Sequence, residues 1–147
     1  MLSQLYENFK NMREIKYIAI HCTAGPATQT TKAIKDYWKN NLGWKSVGYH
    51  YLINADGTIE QLAQESEITN GVAGFNSVII NVSYKGGVDA NNKPKDTRTP
   101  QQKESILKLL KELKKRYPKA IIQGHKDFPN VKKACPSFEA KKEYINI

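Results

Sequence analysis

IKYIAIHC, residues 15–22, sets Ile18 and Ile20 on one side of an extended chain and Tyr17, Ala19 and His21 on the other. Side chains alternate along a strand. Both faces of this segment are therefore largely apolar, which marks a strand covered on two sides rather than one edge of an open sheet. Covering both faces takes helices, and the flanking sequence supplies them. In TTKAIKDYWKNNLG, Ile34, Trp38 and Leu42 recur every four residues, with a threonine ahead and Gly43 behind, so this segment reads as a helix. A stronger helix begins at Thr99. Threonine there caps, Pro100 takes the first helical position and Gln102 completes a capping box. Ile106, Leu109, Leu110, Leu113 and Tyr117 form its apolar stripe and Pro118 stops it.

The remaining strands follow from composition and turns. VGYHYLINADGTIEQLA reads as two strands about an Asp56-Gly57 turn. SVIINVSYKGG (77–87) and AIIQGH (120–125) are buried-type strands, and EAKKEYINI closes the chain as a helical turn or tail. Strands interleaved with helices predict an α/β fold: one domain over residues 15–147, with a central mixed sheet of about five strands flanked by helices, and an N-terminal extension over 1–14. The chain's 147 residues suffice for one buried core.

The formal net charge is +9, and 16 of the 23 basic residues lie beyond residue 60. Nucleic acid, an anionic membrane and an acidic polymer such as a bacterial cell wall are the partner classes this admits, beside a simply solvated helix face. The 99–117 helix has only a terminal tyrosine for aromatic content, so nucleic acid is not expected as the main partner. No segment approaches the roughly 20 apolar residues of a membrane span. The polar start MLSQLYENFKNMREIK lacks the apolar centre of a secretory signal.

Three histidines, His21, His50 and His125, and two cysteines, Cys22 and Cys135, are the soft-metal donors. His21 and His125 each end an apolar strand and open into a Gly- or Pro-containing loop, HCTAGP and GHKDFP, where α/β folds build sites. With Cys135 they make a three-ligand set that leaves a fourth position open, as a catalytic zinc site needs. Spacing alone favours the plainer reading, a packed histidine, a surface histidine and an inert buried thiol, since neither an HExxH nor a paired CxxC is present. On a strand His21 and Cys22 point apart. Cys22 is then expected to pack behind the site and stay chemically idle, and a Cys22–Cys135 disulfide would compete with metal. His50 follows Tyr49 and is expected to face away from it.

Taken together, IHCTA, GYHYLINADGTIEQ, GFNS, TPQQ…LLKELKKRYP, GHKDF and KKACPSF, in this order over residues 15–140, resemble the zinc-dependent N-acetylmuramoyl-L-alanine amidases. The branch is that of the T7-type phage lysozymes and peptidoglycan recognition proteins. The resemblance implies an amidase catalytic domain that hydrolyses the bond between N-acetylmuramic acid and L-alanine in peptidoglycan. It implies Zn2+ on His21, His125 and Cys135, with Tyr49 and Lys133 as catalytic residues. Thr23 and Asn76 fall at positions near substrate. Relatives often carry histidine before G-x-N, where this chain has NGVAGFN, with Gly71 or Val72 near that place.

The expected partner is peptidoglycan, met by a monomer made in the cytoplasm that reaches the cell wall after release or dedicated export. A binding-only module and an endopeptidase on the same scaffold are the alternative readings. Asp127 is read as a loop-capping carboxylate beside a possible role in holding His125. Lys93, Lys95 and Arg98 are read as loop solubility or contacts to stem-peptide carboxylates.

Overall fold

A computed structural model describes residues 13–147. Strands β1 (Tyr17–Cys22), β2 (Tyr51–Ile53), β3 (Ile59–Gln61), β4 (Ile79–Tyr84) and β5 (Ile121–Gly124) form one sheet in the order β3-β2-β4-β1-β5. β2, β4, β1 and β5 run parallel, and β3 pairs antiparallel with β2 at one edge. The expected α/β domain with a mixed five-stranded sheet is the observed one. β1 lies between β4 and β5, and five of its six residues are buried.

The two faces of the sheet differ. Ile18, Ile20 and Cys22 of β1, with Ile80, Val82 and Tyr84 of β4, pack under helix α2 (Pro100–Arg116). Helix α2 contributes Ile106, Leu109, Leu110 and Leu113, the stripe read from sequence, and its Thr99–Gln102 capping box is formed. The short α3 (Ala140–Glu143) adds Ala140 to the same core. The opposite face carries two smaller apolar clusters. One joins Ala19, Val72, Ile79 and Phe128; the other joins Ile34, Trp38 and Leu52. Between them, this face of the sheet is polar: His50, Asn81 and His21 are all buried there.

α1 (Thr31–Asp36) opens on a Thr30 cap, as expected, but its continuation over Tyr37–Asn41 is a π turn. The wider turn rotates the stripe. Ile34 and Trp38 stay buried, whereas Leu42 is exposed and outside the core that its four-residue spacing predicts. Arg98 also departs from the sequence reading. It is buried, bonded to Asp96 and Glu143, and lies 3.4 Å over the Phe138 ring, so it ties the loop to α3 rather than meeting substrate. The expected extension ends at residue 14, yet Arg13 already donates to the carbonyls of Glu65, Asn76, Ser77 and Ile79. The rest of that expected segment, residues 1–12, lies outside the described residues.

Candidate metal centre

Parallel strands bring their carboxyl ends to one edge of the sheet, where α/β folds place sites. His21 is the last residue but one of β1, and His125 is the first residue beyond β5. Cys135 arrives on a loop that is pinned over the same edge. Its carbonyl accepts from Lys126 N–H at 2.9 Å, the Pro136 carbonyl accepts from Tyr84 Oη at 2.7 Å, and Ser137 Oγ donates to Gly87 O at 2.8 Å. Gly124 permits this approach: a Cβ there would stand 2.7 Å from Pro136 Cδ.

One donor atom from each of His21, His125 and Cys135 lies within 4.8 Å of the others. Cys135 Sγ is 3.9 Å from His21 Nδ1. Zinc bonds of about 2.0–2.3 Å put neighbouring tetrahedral ligand atoms about 3.3–3.8 Å apart. The sulfur–nitrogen pair is nearly at that spacing, and the widest pair needs to close by about 1 Å, a side-chain rotation. The donor chemistry also fits. Burial, then the neighbouring His125, push His21 down to about 3, and burial, then Lys133, push His125 down to about 4. Both imidazoles are neutral at pH 7, the form that binds metal. The Cys22 thiol and burial push the Cys135 thiol up in the metal-free pocket, and a bound cation reverses that preference. Both cysteines are free.

The three donors sit in a cavity of about 660 Å³, also lined by Thr23, Trp38, Tyr49 and Lys133. Tyr49 precedes β2 and is not on a strand; its ring lies 5.2 Å from that of His21 and its hydroxyl donates to Cys22 O at 3.3 Å. Desolvation drives its phenol well above the usual range, so it is a proton-bearing donor. Lys133 is exposed at the rim. Thr23 lines the cavity, but its Oγ1 also accepts from Gly86 N at 3.0 Å and braces the Gly86-Gly87 turn. Asn76 does not line it: its Oδ1 accepts from Val72 N at 2.7 Å, a local cap that accounts for the asparagine. Asp127 accepts from Gly124 N at 2.9 Å, the loop-capping role expected for it.

Cys22 packs on the α2 side, opposite His21, as alternation requires. It is less remote than that alternation suggests, since its backbone N–H donates to Cys135 Sγ at 3.2 Å. His50 corrects the reading by alternation more fully. Both residues precede β2, but the His50 N–H already donates to Asn81 O and its carbonyl accepts from Leu62 N–H, so His50 takes the sheet face of His21 and reaches that residue through Thr69 and Asn81. Thr69 and Asn81 were not legible as site residues; the one signal is Asn81, a polar side chain inside the apolar, buried run of β4, while Thr69 lies in a polar, largely exposed segment.

The family description of N-acetylmuramoyl-L-alanine amidases matches residues 11–138. An endolysin of Klebsiella phage KP32 is 37% identical over 136 residues, 91% of this chain and 88% of that protein. Among solved structures, the endolysin of the Thermus scotoductus bacteriophage Ph2119 is 31% identical with a TM-score of 0.73, covering 85% of this chain and 79% of that one. An N-acetylmuramoyl-L-alanine amidase from Clostridium intestinale is 26% identical with a TM-score of 0.73, over 92% of this chain and 84% of that one. The match spans all five strands and both long-range histidine positions, and the chain belongs to the N-acetylmuramoyl-L-alanine amidase family, as an enzyme of peptidoglycan amide hydrolysis.

Proposed function

We propose that His21, His125 and Cys135 hold one catalytic Zn2+, and that Tyr49 and Lys133 act beside it on the amide between N-acetylmuramic acid and L-alanine. The observation that carries this reading is the convergence of two neutral imidazoles and a thiol within 4.8 Å at the floor of an open cavity. Zinc held by three protein ligands supplies a Lewis acid that polarises a carbonyl and acidifies water. The protein's own groups supply the rest. The Tyr49 hydroxyl is a neutral donor beside His21, suited to the oxyanion that forms when the amide carbonyl is attacked. The Lys133 ammonium at the rim places positive charge on the same side. Thr23 lines the approach.

A peptidoglycan groove on a basic protein suits an acidic polymer. No helix among the described residues is long and apolar enough to cross a membrane. The enzyme acts on the cell wall, and we infer that it does so as a monomer that reaches its substrate after release or dedicated export. Elemental analysis of purified protein, paired with mass analysis of digested muropeptides, tests the reading. Zinc near one per chain and free stem peptides bearing an L-alanine amino terminus are expected. Cleavage inside the stem peptide would make the chain an endopeptidase. Wall binding without product would make it a binding module. Lytic activity that survives thorough chelation would remove the metal from the reaction.

A further inference from the structure

Behind His21 lies a chain of buried polar groups whose proton positions follow from two backbone atoms. His50 Nε2 is 2.8 Å from the carbonyl oxygen of Glu67. A carbonyl only accepts, so Nε2 carries a proton. His50 Nδ1 receives the backbone N–H of Asn81 at 3.0 Å. An amide N–H only donates, so Nδ1 is bare. Arg13 Nη2 also lies 3.2 Å from Nε2, but it is a donor beside a protonated nitrogen and is satisfied by the carbonyls of Glu65 and Ile79. The His50 tautomer is thus determined.

Order then passes inward. The single lone pair on Nδ1 is shared by the Asn81 N–H and the Thr69 hydroxyl, which lies 3.2 Å away and directs its one proton there. Thr69 Oγ1 must therefore accept, and it does so from Asn81 Nδ2 at 2.8 Å. This turns Asn81 Oδ1 toward His21, 2.8 Å from Nε2. Oδ1 only accepts, so His21 Nε2 bears the proton and Nδ1, on the Cys135 side, has the free lone pair. His21, His50, Thr69 and Asn81 are each 1% exposed or less, which leaves no solvent to scramble the order. Gly71 makes the arrangement possible, since a Cβ there would meet the Asn81 amide at 2.2–2.6 Å.

We propose that Asn81, oriented by Thr69 and His50, is a positioning residue that locks His21 in the Nε2–H tautomer and presents Nδ1 to the metal. The proposal rests on the reading of His21 as a zinc ligand. An asparagine that merely fills the sheet face would lower stability when replaced and leave the tautomer and metal affinity alone. Outer-shell partners of metal histidines act on affinity by about 10- to 100-fold.

Long-range 1H–15N correlation spectra of the metal-free protein read the tautomer directly, and competition with a chromophoric chelator reads zinc affinity. Wild-type protein is expected to show His21 as Nε2–H. Asn81→Asp keeps the acceptor and is expected to keep that tautomer and zinc affinity within about threefold. Asn81→Leu is expected to mix tautomers and bind zinc about 10- to 100-fold more weakly. Thr69→Val, a smaller perturbation should the leucine variant fail to fold, is expected to mix tautomers by freeing the amide to turn. His21 found as Nδ1–H in wild type, a leucine variant with unchanged zinc affinity, or an aspartate variant as weak as the leucine one overturns the proposal. Wild-type protein that takes up no zinc yet shows Nε2–H overturns the metal reading and supports the proton order.

Discussion

Replacing Gly71 by alanine adds one carbon where the protein has no room. That carbon would stand 2.2 Å from Asn81 Oδ1 and 2.3 Å from its Cγ. Ordinary carbon contacts begin near about 3.5 Å, so the Asn81 side chain must move by about 1 Å. Its bond to His21 is 2.8 Å long. A displacement of that size carries it past about 3.5 Å, beyond hydrogen-bond reach. The His21 Nε2–H then sits buried without an acceptor, at a cost of about 1–3 kcal/mol. Urea denaturation of metal-free Gly71→Ala should show a loss in that range with an unchanged denaturant slope. The same loss of ordering should weaken zinc by about tenfold or more in chelator competition. Peptidoglycan turnover at limiting zinc should fall with it. A Gly71→Ala protein with wild-type stability and zinc affinity would refute both the packing argument and the role given to Asn81.

Three further outcomes follow from the described geometry. Cys22→Ser should retain zinc, since the Cys22 side chain packs on the α2 side and is not one of the three converging donors, whereas Cys135→Ser should lose metal and activity together by elemental analysis and turbidity assay. Burial pushes His50 down to about 4 from an ordinary 6.5. The unfolded chain therefore binds the extra proton first, so stability is full above pH 6.5 and is lost as pH falls toward 4. The loss from this residue is about 3 kcal/mol, visible as a falling thermal midpoint of the metal-free protein and diminished in a His50→Gln variant. Thr99→Ala removes one half of the capping box of α2 and should cost about 0.5–2 kcal/mol in the same denaturation assay without changing zinc content.

The candidate site was partly legible because two of its three proposed ligands sit where local rules are strong. His21 and His125 close apolar strands, and parallel strands bring such ends together. Tyr49 was singled out by resemblance, while strand alternation would have set His50 apart from the site. That alternation fails because the backbone at Tyr49 has not yet joined β2. Asn76 and Arg98 carry side chains suited to substrate, but each is used locally, one on the Val72 N–H and the other between Asp96 and Glu143.

What the amino-acid sequence determined by itself was the set of elements: a two-faced apolar strand, a capped amphipathic helix, an Asp-Gly hairpin, and donors at strand ends. These depend on neighbours within a few residues, so periodicity and caps reveal them. Only the tertiary structure decided how Cys135 meets His21 across 114 positions of chain, and how Glu67, His50, Thr69 and Asn81 order one proton behind it. Those contacts arise from strand register and from space left by Gly71, which is a property of the packed sheet and not of any local segment.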